Sequence, residues 1–422
     1  MKKLIICSLL STFVIIGCNK EEPFIEKSFV GTVYLESQQE VDAFADSSYT
    51  DVDGSIIIGK YHESSDITDL SGLNTLRNVQ HLTICNNDGL TTLNGLHRLN
   101  AIHGSIEIKS NNNLTSLNGL RSLTSVTVDF HIVENHSLTD LEGLGRLESI
   151  RRTFDISNNN GLTNLKGLSR QISIDELVII GNDALLSLEA LSGISSVYST
   201  FAGIEIKDNP SLLSLSGLNK LESVYRLTLI RNDNLKNVDC LKNLKKLGRT
   251  YISGNKSLSN LDGLSNLSNV WSNLTIYDND ALVNLNGINQ LDSIGFVLEI
   301  KDNDALETIG GFNSLKSIGG RFIVTGNDAL INLDGFKSLE AIEQYLVIEE
   351  NNALSNLDGL SNVERIGTDL SVRLNSTLTD FCGVKHLITN GSVLKENYQV
   401  HSNAYNPTYE QIQTSGSGGC SL

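Results

Sequence analysis

The sequence lacks the residue patterns that catalysis usually requires. No pair of its histidines has the His-x-x-x-His spacing of a helical metal site, and no Gly-x-Ser-x-Gly nucleophile turn occurs. No cluster of carboxylate, lysine or arginine residues stands out from the rest of the chain. The eight histidines are scattered, at positions 62, 81, 97, 103, 131, 136, 386 and 401. We therefore expect a protein that is not an enzyme and that needs no cofactor.

Basic residues are scarce relative to acidic ones. The chain has 32 Lys and Arg against 49 Asp and Glu, which gives a formal net charge of −17 at neutral pH. Nucleic acid and anionic lipid surfaces attract proteins of the opposite charge. We therefore expect no nucleic-acid partner, and an acidic, exported protein fits this balance better.

The apolar segment near the start is too short to cross a membrane. It runs from Leu4 to Ile16, about 13 residues, whereas a spanning helix needs roughly 20. Lys2 and Lys3 precede it, and the residues that end it, Ile15 to Cys18, resemble the lipobox of bacterial lipoproteins. That resemblance implies a signal peptide over residues 1–17, a lipid on Cys18 and a tether over residues 18–28. Anchoring in the outer membrane follows.

The residues just after Cys18 bear on which side of the membrane the protein faces. The stretch 19–22, Asn-Lys-Glu-Glu, resembles the acidic tether signal that sends Bacteroidetes lipoproteins to the outer face of the outer membrane. We therefore expect exposure at the cell surface.

Beyond this segment, one pattern recurs with a period of about 24 residues. Asparagine marks its start, and apolar residues follow at fixed offsets, as at Leu282, Leu285, Ile288, Leu291 and Ile294. The marking asparagines are Asn87, Asn111, Asn135, Asn159, Asn182, Asn209, Asn232, Asn255, Asn279, Asn303, Asn327, Asn351 and Asn375. A fixed period of this length indicates a solenoid. One interval, from 182 to 209, is three residues too long, and the surplus falls at 198–203, where we expect a bulged loop.

The spacing within one turn favours strands over helices. Leu298 and Ile300 alternate with polar residues, which is typical of a half-buried strand. The apolar residues from 282 to 294 come every third position, and an α-helix would rotate them by about −240° away from a common face. A glycine interrupts most of these runs, with Ala190 and Cys240 in its place in two of them, and we predict that the glycine adopts a backbone conformation closed to other residues. These glycines are at 95, 119, 143, 167, 217, 263, 287, 311, 335 and 359.

The recurring asparagines have a structural explanation. Each follows a strand at a corner, where its amide can satisfy backbone groups that no strand pairs, and stacked turns let the amides bond one another. We therefore predict an asparagine ladder that fixes the register of the turns, rather than a polar binding stripe.

Both ends of the repeat depart from the pattern. Residues 29–55 contain Ser37 and Glu40 in the spacing of a capping box, which predicts a short helix that covers the first turn. The repeat then occupies residues 56–384, and a C-terminal cap and tail occupy 385–422. Cys382 and Cys420 lie in that tail, and an exported location permits a disulfide between them, although the sequence does not fix the connectivity. Cys85 and Cys240 are expected to be free.

Two surface features are candidates for binding. The outward strand positions include a mildly apolar set that suits a protein partner, which ordinary β-propensity also explains. It comprises Val178, Ile180, Ile230, Tyr251 and Tyr277. Aspartates also recur directly after the ladder position at Asp280, Asp304 and Asp328, where stacked carboxylates suggest a calcium site. The preference of Asp for turns is the simpler explanation of that column.

Taken together, the turns of the form Asn-x-x-Leu-x-x-Leu-x-Gly-Leu-x-x-Leu-x-x-Ile resemble the receptor L-domain family. The resemblance implies a mainly β fold, a right-handed parallel β-helix-like solenoid that often presents a flat face to a protein ligand. In typical leucine-rich repeats the next Leu comes two residues after the Asn, and here it comes three after. A horseshoe with outer helices is therefore our second expectation.

These observations predict a binding or adhesion module at the cell surface, with an extracellular protein or glycan as its ligand. A carbohydrate-binding accessory protein is the alternative, for which Trp271 and two outward tyrosines are the only aromatic support in the sequence. A polysaccharide-active β-helix enzyme ranks third.

Overall fold

The computed structural model describes residues 26–168, 172–194, 203–414 and 419–422. The chain divides into two compact units, Met1–Ile194 and Ser195–Leu422. The predicted signal peptide, the lipid-bearing Cys18, most of the tether and nearly all of the predicted bulged loop lie outside the described residues. Among those that are described, no helix has both the length and the apolar character that a membrane span requires.

Parallel strands dominate the first unit. Its one α-helix among the described residues is α1 (Gln38–Ala45), and short 3₁₀ helices occur at Ser71–Leu73, Asn118–Leu120 and Glu189–Leu191. Its strands are β1 (Ser28–Val30), β2 (Val33–Leu35), β3 (Asp51–Gly59), β4 (Asn78–Cys85), β5 (Ala101–Ile102), β6 (Ile106–Lys109), β7 (Ser125–Val126), β8 (Phe130–Val133), β9 (Ser149–Ser157) and β10 (Ser173–Ile180).

The second unit repeats this architecture. Its strands are β11 (Gly203–Lys207), β12 (Ser223–Ile230), β13 (Lys246–Ser253), β14 (Asn269–Val270), β15 (Leu274–Tyr277), β16 (Ser293–Ile294), β17 (Leu298–Lys301), β18 (Ser317–Ile318), β19 (Phe322–Thr325), β20 (Ala341–Ile342), β21 (Leu346–Glu349), β22 (Arg365–Ile366), β23 (Leu370–Arg373) and β24 (Tyr398–His401). Its helices are α2 (Lys385–Thr389) and α3 (Tyr409–Thr414), with 3₁₀ helices at Asp239–Leu241, Asp262–Leu264, Asn286–Ile288, Gly310–Phe312, Asp334–Phe336, Asp358–Leu360, Cys382–Val384 and Lys395–Asn397.

Each strand pairs in parallel with its counterpart one turn away. Ile300 in β17 lies beside Val324 in β19, and Ser293 in β16 lies beside Ser317 in β18. The inward side chains are fully buried, as at Leu298 and Ile300, because each turn places its apolar residues between those of its neighbours. The fold is thus the mainly β, parallel solenoid that the period predicts.

At six of the ten recurrent glycines the bend is a short 3₁₀ helix rather than an irregular corner, as at Asn286–Ile288. The predicted positive φ occurs at only four of the ten glycines, namely Gly95, Gly143, Gly167 and Gly217, with φ from 107° to 114°. For the others the prediction is wrong, and the reason for glycine is space. A Cβ on Gly311 would lie 1.5 Å from the carbonyl oxygen of Leu285 in the preceding turn. Glycine here allows close backbone approach between turns.

The asparagine ladder is present within each unit. The ladder side chains are fully buried. Asn303 donates from Nδ2 to the carbonyls of Ile276 and Lys301, at 3.1 and 2.9 Å. Its Oδ1 accepts both the backbone N–H and the side-chain amide of Asn279, at 3.1 and 3.2 Å. These bonds join one turn to the next at the corner after the strand, where the Lys301 carbonyl also accepts from the Asp278 N–H, and this is the role predicted from the sequence.

The residue before each ladder asparagine has a left-handed backbone. This holds at all thirteen positions, among them Asp278 with φ of 56° and Asp302 with φ of 49°. Asp and Asn tolerate this region better than most residues, and glycine adopts it freely at 181, 254 and 326. Aspartate at this position therefore serves the turn.

The N-terminal segment covers the first turn as predicted from its capping box. Ser37 caps α1 by accepting from the Glu40 N–H, and the Glu40 carboxylate accepts from the Glu36 N–H at 2.7 Å. Gln38 holds the helix in place, since its side-chain oxygen accepts from the N–H groups of Thr68 and Asp69. However, the parallel sheet begins earlier than residue 56, because β1 and β2 both pair with β3.

The C-terminal segment covers the last turn of the second unit. Strand β24 pairs in parallel with β23, so the sheet continues past the boundary predicted at 384. Asn403 continues the ladder by accepting from Asn375 at 2.9 Å. A disulfide joins Cys382 to Cys420, with 5.0 Å between their Cα atoms. This bond fixes the end of the chain against the last turn, and the region acts as a cap.

Candidate binding surfaces on the parallel sheet

The predicted apolar face is divided between the two units. Val178 and Ile180 lie on β10 in the first unit, where their register partners are Asp155 and Ser157 on β9. The other three members, Ile230, Tyr251 and Tyr277, lie on consecutive long strands of the second unit. The structure therefore brings together three of the five predicted residues.

These three side chains surround one small residue, Ser253. Ile230 on β12 and Tyr277 on β15 are its register partners on either side, and Tyr251 is two residues earlier on the same strand and face. Tyr277 is 39 % exposed, and Lys301 from the next strand lies over its ring, 5.5 Å from the centroid. A small residue between larger ones leaves a shallow depression that a partner side chain can fill. We call Ile230, Tyr251, Ser253 and Tyr277 the tyrosine patch.

Charged residues on either side of the tyrosine patch are paired with one another. On β11, beside the patch, Lys207 and Glu205 form an ion pair at 2.5 Å; at the end of β17, on its other side, Lys301 pairs with Asp302 at 3.7 Å. Such pairing gives this face an apolar centre between polar margins, which is the usual anatomy of a protein interface.

A second exposed feature lies at the corner that leads into the long strands of the second unit. Five successive turns each place an aromatic ring or a guanidinium there, at Arg249, Trp271, Phe296, Arg321 and Tyr345. Trp271 is 49 % exposed and Phe296 is 40 % exposed. We call these five residues the aromatic edge.

Arg321 stacks between two rings of the aromatic edge. Its guanidinium carbon is 6.0 Å from the centroid of Phe296 and 5.3 Å from that of Tyr345, and its Nε donates to Gln344 at 3.4 Å. Such stacking orients the planar cation and leaves its terminal N–H groups at the ring margins. Of these five residues, only Trp271 was predicted from the sequence to be an exposed aromatic residue. The outward positions were assigned along the strands, and the other members lie before those positions.

The first unit contains a polar groove of about 420 Å³ on its sheet face, lined in part by His81, Glu107, His131 and Asp155. His131 and Asp155 are register partners, and their side chains are 3.2 Å apart. The hydrogen bond to Asp155 raises the pKa of His131, with smaller contributions from the charges of Asp129 and Glu107, and burial opposes the shift. Ser157 donates to Asp155 rather than to His131, and among the described residues no hydroxyl forms a hydrogen bond with the imidazole as a nucleophile would.

Replacing Asp155 with Asn should lower the pKa of His131 towards the ordinary value near 6.5, because the carboxylate favours the protonated imidazole. A raised folded-state pKa means that His131 stabilises the first unit below the unfolded-state pKa, and this contribution is lost as pH rises through the folded-state value. NMR titration of the imidazole measures the shift. Glu107→Gln is the control and should move the pKa less; an equal effect of both changes would contradict this assignment.

The aspartate column does not assemble a metal site. Asp328 accepts a hydrogen bond from Asn352 in the next turn at 2.6 Å. Over the described ranges, no group of three or more His, Cys, Asp or Glu side chains is placed to hold a metal ion. Asp280, Asp304 and Asp328 therefore do not converge on calcium, since they stand one per turn along a corner. Burial and the neighbouring Asp280 raise the pKa of Asp278.

Cys85 and Cys240 are free thiols, and burial raises the pKa of each to about 11. A thiol of such high pKa is a poor nucleophile near neutral pH. Neither residue therefore adds a reactive group to these surfaces.

No protein-family model matches the chain, and no curated protein matches it. Among solved structures, it is similar to one titled "Crystal structure of TLR13-ssRNA13 complex", with 14 % sequence identity and a TM-score of 0.21. The match covers 92 % of this chain and 72 % of that chain. The function of the protein is therefore inferred from the residues of this chain.

Proposed function

We propose that this chain is a lipid-anchored protein of the bacterial cell surface that binds an extracellular protein partner and does no catalysis. The observation that carries the binding role is the tyrosine patch, in which Ile230, Tyr251 and Tyr277 surround Ser253 on a regular parallel sheet. Tyrosine suits interfaces because its ring supplies contact area and its hydroxyl a hydrogen bond. A fixed backbone also reduces the entropy lost on binding.

The surface location is supported by the sequence of residues 1–22. A short apolar segment that ends in Gly17-Cys18 suits a lipoprotein signal, and the acidic stretch after it suits export to the outer face of the outer membrane. The resemblance of the repeat to receptor L-domains supports a binding module and adhesion. Protease treatment of intact cells tests the location: loss of the full-length protein supports it, and protection would place the chain on the periplasmic side.

The absence of catalysis is part of the same proposal. His131 and Asp155 form the most reactive pair on the sheet face, but Ser157 bonds to the carboxylate and not to the imidazole. A base that contacts no nucleophile has no group to activate. Turnover of any glycan by the purified chain would overturn this part.

The tyrosine patch can be tested by photocrosslinking on intact cells. A photoreactive phenylalanine analogue at Tyr277 should give a discrete adduct with one extracellular protein, and Tyr251→Ala should weaken that interaction by about 2 kcal/mol, roughly 30-fold, as hot-spot residues do. The matched control places the analogue at Tyr61, which is 56 % exposed in the first unit. The same adduct from both positions, or none from Tyr277, would contradict the proposal.

A carbohydrate ligand is the second candidate, and the aromatic edge favours it. Exposed rings at Trp271 and Phe296 offer flat apolar faces of the kind on which sugar rings stack. The two surfaces adjoin on β13, where Arg249 precedes Tyr251 by two residues, but their aromatic rings lie apart, since Trp271 precedes Tyr277 by six residues, roughly 20 Å of extended chain.

A further inference from the structure

We propose that the aromatic edge of the second unit is a binding site for an extended acidic polysaccharide, one that carries uronic acid carboxylates. This site is distinct from the tyrosine patch and does not depend on it. It consists of Arg249, Trp271, Phe296, Arg321 and Tyr345, one residue from each of five consecutive turns.

The spacing of the aromatic edge suits a linear polymer of sugars. Successive turns of a parallel stack are about 4.8 Å apart, which is close to the length of one pyranose unit in an extended chain. Five turns therefore offer contacts to about as many consecutive sugars. A small ligand would use only one or two of these positions, whereas a polysaccharide can use all of them.

Two glycines keep the surface beside Trp271 open. Gly295 and Gly319 occupy the equivalent of the Trp271 position in the next two turns. The surface next to the indole is therefore formed by backbone without side chains, and we call this strip the lane. The chain allows no side chain there: a Cβ on Gly295 would lie 2.1 Å from the Trp271 carbonyl oxygen, and one on Gly319 would lie 2.2 Å from that of Gly295. A sugar chain can therefore lie along the lane, in contact with the faces of Trp271 and Phe296.

The charge of the aromatic edge selects an anionic sugar. Arg249 and Arg321 are both exposed, and in the described part of the chain neither forms an ion pair within 4.0 Å. The Arg321 guanidinium carbon lies 6.0 Å from the Phe296 ring centroid and 5.3 Å from that of Tyr345. A planar guanidinium binds a carboxylate through two parallel hydrogen bonds. The chain as a whole has a net charge of −17 and therefore repels an anionic polymer. Binding of such a polymer requires the local arrangement of Arg249 and Arg321.

The test uses the purified full-length chain and three uronate polymers: polygalacturonate, alginate and hyaluronan. Affinity gel electrophoresis should show retardation by at least one of them, and fully methyl-esterified polygalacturonate should retard the chain much less. Trp271→Ala and Arg321→Ala should each weaken binding by about 10-fold, in line with the loss of one stacked or bidentate contact. Arg321→Lys keeps the charge but loses the planar fork, and it should be intermediate.

A matched variant separates the aromatic edge from the tyrosine patch. Tyr277→Ala changes the tyrosine patch and should leave polysaccharide binding unchanged, so failure here is distinct from failure of the proposed protein partner. Circular dichroism confirms that the exposed variants fold. Binding to none of the three polymers, equal binding to the esterified form, or stronger binding to a single-stranded oligonucleotide would each overturn the proposal. Retention of affinity in Trp271→Ala would overturn the assigned location.

Discussion

Replacement of Asn303 with alanine is expected to destabilise the second unit by about 4 kcal/mol, since each buried polar group left without a partner costs roughly 1–3 kcal/mol. Asn303 is fully buried, and its amide bonds the carbonyls of Ile276 and Lys301 and the side chain of Asn327. Alanine removes all of these bonds and those that Asn279 donates to it. Its methyl group carries no polar atom to replace them, so the loss is not compensated.

Urea denaturation of the purified chain, followed by circular dichroism, measures this effect. Asn289→Ala is the matched control, because Asn289 is exposed in the preceding repeat and its side chain is not part of the ladder. The control should change stability by no more than about 0.5 kcal/mol. A similar midpoint for both variants would mean that the ladder sets register without adding stability.

The second large effect is expected from Gly311→Ala. The new Cβ would lie 1.5 Å from the carbonyl oxygen of Leu285, and a backbone atom in a paired turn cannot rotate away. The turns on either side must therefore separate, and overpacking of this kind costs about 3 kcal/mol. The same denaturation experiment measures the change.

The neighbouring glycine gives an internal control. A Cβ on Gly310 would meet the side-chain oxygen of Asn286 at 2.4 Å, and that amide can rotate towards solvent. Both changes remove the same conformational freedom from the unfolded chain, so their difference isolates the clash. If Gly310→Ala were as damaging as Gly311→Ala, backbone geometry and not the approach of the turns would explain the glycine column.

Period and burial could be predicted from the sequence because each turn repeats the same physical requirement. A buried corner after a strand needs an amide, and this requirement allowed the thirteen ladder asparagines to be predicted. The helix at the start was predicted because Ser37 and Glu40 are three residues apart, as in a capping box. Both signals are local. Asn403 was missed because its interval from Asn375 is 28 residues and the surrounding apolar pattern has ended.

The aromatic edge could not be predicted from the sequence for a different reason. Trp271, Phe296, Arg321 and Tyr345 are separated by 25, 25 and 24 residues, so they do not fall in one column of a 24-residue repeat. Arg321 nevertheless lies close to the rings of Phe296 and Tyr345 in the turns before and after it. The division of the predicted face between two units was not predicted either, since the surplus at 198–203 was interpreted as a bulged loop within one continuous repeat.

The ladder gives each unit a sense of direction. Within a unit, each asparagine donates to the one that follows it; the first unit therefore begins with an acceptor at Asn87, which Ser65 satisfies, and the second ends with donors at Asn403, which Asn406 satisfies. Because every ladder asparagine bonds in the same direction, a whole turn can be added or removed while the capping residues Ser65 and Asn406 keep their hydrogen bonds. Gene duplication or loss of one such segment would therefore lengthen or shorten the binding surface in fixed steps, and related proteins would differ in reach while keeping the same ends.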